Sequence, residues 1–273
     1  MPNQSSDQWW VNDQTPDNPY GKSENYEDFL DYLGALPRSL NPTIAAGVLR
    51  INVTELNDHP EYKAAAIGAL EQWASVTPLQ FEIVDDAPFN PATDWIEVVS
   101  PELGEPDDGS AYSANRYVSI GQRFHDTEPD KTSPGGYVFD SFIHEFGHEF
   151  GLNHPGLYNY SGPGGVQINY LNNATWTYDR QQYSVMSYFD GIDTGETTRW
   201  SAVTPMTADI EAVIRRFFST VDPGTGVRTY QNIALNTGDD AYGFGSSVTG
   251  YALTATGTQH DICLLYTSPS PRD

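Results

Sequence analysis

The stretch His144 to Gly156, "HEFGHEFGLNHPG", carries three of the six histidines of a 273-residue chain. It reads first as the end of a helix. In "YVFDSFIHEFGHEFG", Phe139, Phe142, Ile143, Phe146 and Phe150 recur at three- and four-residue intervals, so one face is deeply apolar. His144 and His148 are four residues apart and share one face, about 6 Å apart along the axis. Two imidazoles so placed can reach one metal ion at about 2.0–2.1 Å. Glu145 lies between them in sequence, beside the metal, where it can accept a proton from bound water. Gly151 predicts where the helix stops. Glycine permits positive φ, and a turn there brings His154 back as a third ligand. Three neutral imidazoles leave a fourth position open, the arrangement of a catalytic rather than a structural zinc.

Outward from this helix, the apolar periodicity predicts the remaining elements. "SENYEDFLDYLGAL" places Tyr26, Phe29, Leu30 and Leu33 at helical spacing, with Ser23 or Asn25 as cap. Residues 47–53 read as a strand. Residues 61–76 read as a strong Ala-rich helix behind Pro60, with Ile67, Leu70, Trp73 and Ala74 on one stripe. Residues 79–84 and 94–100 read as strands, and 111–122 as one or two more. A Gly/Asn/Tyr-rich excursion follows from Leu157 to Gln181. "TPMTADIEAVIRRFFS" is a further helix, with Thr207 as N-cap and Ile210, Val213, Ile214 and Phe217 as its apolar stripe. Beyond Thr220, Gly and Thr rise and only short strand-like pieces appear, which sets a boundary near residues 221–226. His59, His125 and His260 have no ligand-spaced partner.

Composition bounds the function. With 38% hydrophobic residues the chain can bury one substantial core. The net charge of −24, from 37 acidic and 13 basic residues, opposes nucleic acid and anionic membrane as partners, since such binding rests on Lys and Arg. No apolar run is long enough to span a bilayer, so membrane insertion is not expected. The polar N-terminus "MPNQSSDQWW" lacks the charged and apolar regions of a secretory signal. The single cysteine, Cys263, opens "CLLYTSPSPRD", which resembles the translation of a sequencing adapter. On that reading residues 263–273 are non-native, the native portion ends near Ile262, and disulfide and thiol chemistry are absent.

Downstream of the histidines, "YSVMSYF" supplies Met186 and Tyr188. Here the chain resembles the metzincin metalloproteases, whose long zinc motif is followed by a Met-containing turn beneath the metal. Pro155 after the third ligand and the "MSY" triplet resemble the serralysin family within that clan. The resemblance runs from about Gly47 to Gly250 and takes in "GDDAYGFGS", similar to the entry of that family's calcium-binding β-roll.

The resemblance implies an α+β fold: a twisted, mostly parallel sheet of about five strands, an active-site helix and a C-terminal helix, then the start of a β-roll. It implies an N-terminal segment over 1–40 that is a candidate pro-segment, a catalytic domain over 41–220, and a truncated C-terminal β domain over 221–262. It implies His144, His148 and His154 as zinc ligands and Glu145 as general base. Tyr188 would stabilise the oxyanion and Met186 would form the floor. Residues 109–113 ("GSAYS") would lie on the edge strand that takes extended substrate. Gly238 and Asp240 would offer a partial calcium site. The implied protein is a secreted, monomeric zinc endopeptidase acting on proteins or peptides. Ca2+ is expected in the full-length form, with the export signal in a missing C-terminus. Two other readings use the same residues: a metzincin of narrower specificity, matrixin-like, which Pro155 disfavours, and a catalytically silent metzincin-fold binding module. The retention of Glu145 argues against the silent module.

Overall fold

The computed structural model describes residues 21–36, 48–99, 111–114, 116–121, 129–156, 158, 168–194 and 202–230. Gly238, Asp240, Gly109, His125, His260 and the terminal stretch 263–273 lie outside the described residues.

A five-stranded sheet runs in the order β2-β1-β3-β5-β4, built from β1 (Leu49–Asn52), β2 (Phe81–Val84), β3 (Ile96–Val99), β4 (Ala111–Ala114) and β5 (Tyr117–Ile120). β1, β2, β3 and β5 are parallel; β4 pairs antiparallel with β5 and forms one edge. The expected α+β class and mostly parallel five-stranded sheet are thus found. The stretch 111–122 resolves into two strands because Arg116, at φ +83°, turns the chain back on itself. β2 starts two residues later than the sequence pattern, at Phe81, and ends where expected, at Val84.

Helix α1 (Tyr26–Leu33) precedes the sheet. Asn25 caps it, its side chain accepting from the Asp28 N–H at 3.2 Å. Helix α2 (Pro60–Val76) and helix α3 (Tyr137–Glu149) pack together, and the Trp73 indole N–H donates to Ile143 O at 3.1 Å. The α2 stripe differs from the one expected. Tyr62, Ala65, Ala66, Ala69, Leu70, Trp73 and Val76 are buried, Ile67 is half-buried and Ala74 is exposed. The small alanines let α3 approach closely, so they, rather than Ile67, face the core.

A short helix α4 (Tyr170–Asn173) lies in the Tyr-rich excursion. Helix α5 (Thr207–Phe217) begins one residue earlier than expected: Thr207 is its first residue and Met206 its N-cap. The cap works through a carboxylate further in, Asp209, which accepts the Met206 N–H at 2.9 Å. Strands β6 (Ser219–Val221) and β7 (Arg228–Tyr230) form a hairpin, so residues 222–227 are its turn.

The core joins all these layers. Phe139, Phe142 and Phe146 on α3 and Phe150 at its C-cap are buried, each worth about 1.5–3 kcal/mol on transfer from water. Phe29, Leu30 and Leu33 of α1 enter the same core. The end of α1 also holds the chain after α3: Asn153 N donates to Leu33 O at 2.7 Å and Leu36 N to Gly151 O at 3.2 Å.

Candidate metal centre

Helix α3 ends in a Schellman arrangement. Gly151 N donates to His148 O and Leu152 N to Gly147 O, both at 2.9 Å, and Gly151 has φ +89°. A Cβ at Gly151 would also meet the Arg216 guanidinium at 2.6 Å. The chain therefore reverses and brings His154 back over the helix face that carries His144 and His148. His154 Nε2 lies 3.1 Å from the Nε2 of His144 and 3.1 Å from that of His148. Among the described residues this is the one His/Cys/Asp/Glu group close enough to hold a metal ion, with its three ligand atoms within 4.8 Å of one another.

Each ring is set by the protein. His144 Nδ1–H donates to Val185 O at 2.7 Å and His148 Nδ1–H to Leu152 O at 2.8 Å. The His154 ring is hydrogen-bonded to the Tyr158 backbone carbonyl. With Nδ1 protonated in His144 and His148, their Nε2 lone pairs point into the shared space. Burial pushes His144 down to about 4, against the pull of the Val185 carbonyl. Burial, with His144 as charged neighbour, pushes His154 down to about 3. Both are neutral near pH 7, the form a metal needs. The donor set, three converging neutral nitrogens with an open side, fits zinc.

Glu145 is 6% exposed, on α3 between the two ligands. Met186 is fully buried, and a Cβ at Gly147 would sit 2.7 Å from its sulfur, so Met186 underlies the ligand helix. The Tyr188 ring lies 4.6 Å from that of His154 and 5.9 Å from that of His144, centre to centre. The turn bearing Met186 and Tyr188 is held from α5. Asp209 accepts from Ser184 Oγ at 2.6 Å and from Val185 N at 2.8 Å. Burial lifts its carboxyl to about 7 despite these donors. Residues 111–113 of the expected edge strand do lie on β4, which packs beside α3.

Several contributors escape the sequence motifs. Asp209 reads as an ordinary first-turn acid of an amphipathic helix. Asp179 and Tyr158 sit in the excursion, where no periodicity marks them. Asp179 is fully buried and accepts from Tyr158 Oη at 2.6 Å and Ser187 Oγ at 2.7 Å. Glu149, also buried, accepts from the Arg116 N–H at 3.2 Å. The one available signal was the presence of acids in otherwise apolar or aromatic surroundings.

No family model matches the chain. Serralysin B of Dickeya chrysanthemi is 28% identical over 246 residues, covering 88% of this chain and 46% of that protein. Serralysin A of the same organism is 36% identical over 129 residues, 47% of this chain and 22% of that protein. Serralysins are thus homologues over much of this chain, and the chain spans less than half the length of the curated relatives it matches. A solved structure of myroilysin, 18% identical, covers 64% of this chain and 93% of its own with a TM-score of 0.39, too low to carry an argument.

Proposed function

We propose that this chain is the catalytic part of a zinc-dependent endopeptidase that hydrolyses peptide bonds in proteins. The observation that supports it best is the convergence of three imidazole Nε2 atoms above a helix whose intervening residue is a buried glutamate. The serralysin homologues support the same reading.

His144, His148 and His154 would hold the ion. Bound there, zinc supplies Lewis acidity to a carbonyl oxygen and lowers the pKa of water toward 7. Glu145 takes the proton as water attacks the scissile carbon and returns it to the leaving amine. The Tyr188 hydroxyl, carried by a ring beside His154, donates to the developing oxyanion. Met186 fills the space beneath α3 and keeps it dry. Strand β4 is an edge of the sheet among the described residues, and an extended peptide laid along it would add backbone hydrogen bonds with little demand on its sequence.

The wider reading follows the homologues. The protein acts outside the cell as a monomer, and calcium binds beyond Tyr230, with Gly238 and Asp240 as this chain's contribution. Residues 21–36 belong with the catalytic unit, since α1 fills its core.

Replacing Glu145 with Gln tests the assignment. The variant should bind one zinc ion per chain and lose casein cleavage by about a thousandfold or more, the scale of losing a general base together with its positioned water. Undiminished cleavage would sink the role of Glu145. Wild-type protein that binds no zinc would sink the whole reading.

A further inference from the structure

Two parts of the site lie outside any helix or strand: His154 to Gly156 with Tyr158, and the turn from Met186 to Phe189. Among the described residues no backbone-to-backbone hydrogen bond joins them. The Tyr188 N–H donates to the Tyr158 hydroxyl at a long 3.5 Å, and one carboxylate oxygen gathers a hydroxyl from each segment. Asp179 Oδ1 accepts from the Tyr158 hydroxyl at 2.6 Å and from the Ser187 hydroxyl at 2.7 Å. Ser187 Oγ in turn accepts from Phe189 N at 3.1 Å.

Both hydroxyls belong to residues that adjoin the site. The Tyr158 carbonyl is hydrogen-bonded to the His154 ring. The Tyr158 ring lies 5.9 Å from the His154 ring, only 20° from parallel, and 5.1 Å from the Tyr188 ring. Ser187 directly precedes Tyr188. We infer that Asp179 is a positioning residue, a buried clasp that sets the third metal ligand, His154, against the oxyanion donor, Tyr188.

The energetics favour this over a packing role. Removing a carboxylate from water costs several kcal/mol, and an apolar side chain of similar volume would fill the space without that cost. What an apolar side chain cannot do is hold two hydroxyls at hydrogen-bond distance from one point. Outer partners of metal-ligating imidazoles typically matter by about 10–100-fold in metal affinity or activity.

The inference rests on the proposed zinc peptidase reading, and its test separates the two. Asp179→Leu, Asp179→Asn, Tyr158→Phe and the Asp179→Leu/Tyr158→Phe pair are prepared in the full chain. Zinc affinity is measured by competition with a chromogenic chelator, and kcat and KM with a quenched peptide per zinc-loaded molecule. Asp179→Leu should weaken zinc binding about tenfold and lower kcat about tenfold or more. KM should stay within about twofold, because β4 takes no part in the clasp. Asp179→Asn should recover most of both losses, since its Oδ1 accepts the same two hydroxyls. Tyr158→Phe should lose as Asp179→Leu does and add little in the double variant.

A Leu variant that melts lower but keeps zinc affinity and kcat overturns the inference. So do fully additive losses in the pair. If Asp179→Leu fails to fold, Tyr158→Phe and Ser187→Ala sever the same contacts with the carboxylate in place, and wild-type values for both overturn it equally. Wild-type protein that holds zinc without cleaving peptide removes the peptidase reading, yet the zinc-affinity comparison still decides the clasp for His154. Wild-type protein that binds no zinc takes the clasp down with the reading.

Discussion

Gly147 sits in the middle of the metal-binding helix, where glycine costs about 1 kcal/mol relative to alanine. The fold explains it by close approach: a Cβ there would meet Met186 Sδ at 2.7 Å and would touch Leu152 and Trp73 at 3.5 Å. Gly147→Ala gains helix propensity and loses by overpacking, which costs about 1–3 kcal/mol in a filled core. The expected net is a loss of about 1 kcal/mol in urea denaturation. The loss should shrink when Met186 is also cut to Ala, because the overlap disappears with the sulfur. A more stable Gly147→Ala protein would mean that Met186 yields freely. The two glycines of the motif show what a sequence reveals at this scale. Gly151 is legible from its place between two ligands, and it has the positive φ that place requires. Gly147 is not legible, because its reason lies on a turn distant in the chain. The buried acids share that difficulty: Asp179 and Glu149 acquire meaning only through partners brought by the fold.

Among elements, the three longer helices were legible because each needs only its own periodicity. Their partners were not. The resemblance makes residues 1–40 an N-terminal segment and candidate pro-segment; within them α1 lies in the core and grips the turn before His154. Amphipathic spacing says that a helix has an apolar face and leaves open what covers it. Strand order is likewise set by crossovers that no local pattern encodes. The edge pair β4 and β5 illustrates the consequence. Its turn passes through Arg116 at φ +83°, a conformation that costs a non-glycine residue about 1–2 kcal/mol. Two attachments hold it there. The Arg116 side chain donates to the carbonyls of Trp95 and Pro91, and its backbone N–H donates to buried Glu149 at the end of α3. The second attachment couples the proposed substrate edge to the helix that carries His144 and His148. Glu149→Leu should free that turn, speed amide hydrogen exchange in residues 111–120 and raise KM for long peptides several-fold. Zinc affinity should hold. Exchange at the wild-type rate would show that the arginine side chain suffices alone.

For the molecule as a whole, charge and burial act on stability through different windows of pH. The whole chain has a formal net charge of −24, and the exposed carboxylates that make up most of it are already ionised above pH 6. Their mutual repulsion is therefore flat from there upward and is weakened by salt. The buried acids behave otherwise. Asp209 titrates near 3.8 in the unfolded chain and near 7 in the fold, because burial disfavours its anion. Between those values the folded state holds more protons. Its contribution to stability is thus fully present below 3.8, declines as pH rises, and is gone above 7. Asp179, lifted to about 7 by burial, adds the same sign. The histidines oppose it: His144 and His154 fall from 6.5 to about 4 and about 3, so the unfolded chain holds more protons below 6.5 and acid favours unfolding. Above 6.5 the imidazoles are mostly neutral in both states and that slope fades. Chemical denaturation from pH 6.5 to 8 accordingly isolates the buried acids. Stability should fall across it by on the order of 1 kcal/mol. Added salt should lift the whole curve without flattening it. Asp209→Asn should lessen the slope, leaving the share of Asp179 and of Asp140, whose carboxyl burial also lifts to about 7. The amide does not titrate, and its oxygen can accept the Val185 and Met206 N–H groups in place of Oδ2. A slope that salt abolishes, or that Asp209→Asn leaves undiminished, would place the pH dependence on the surface instead.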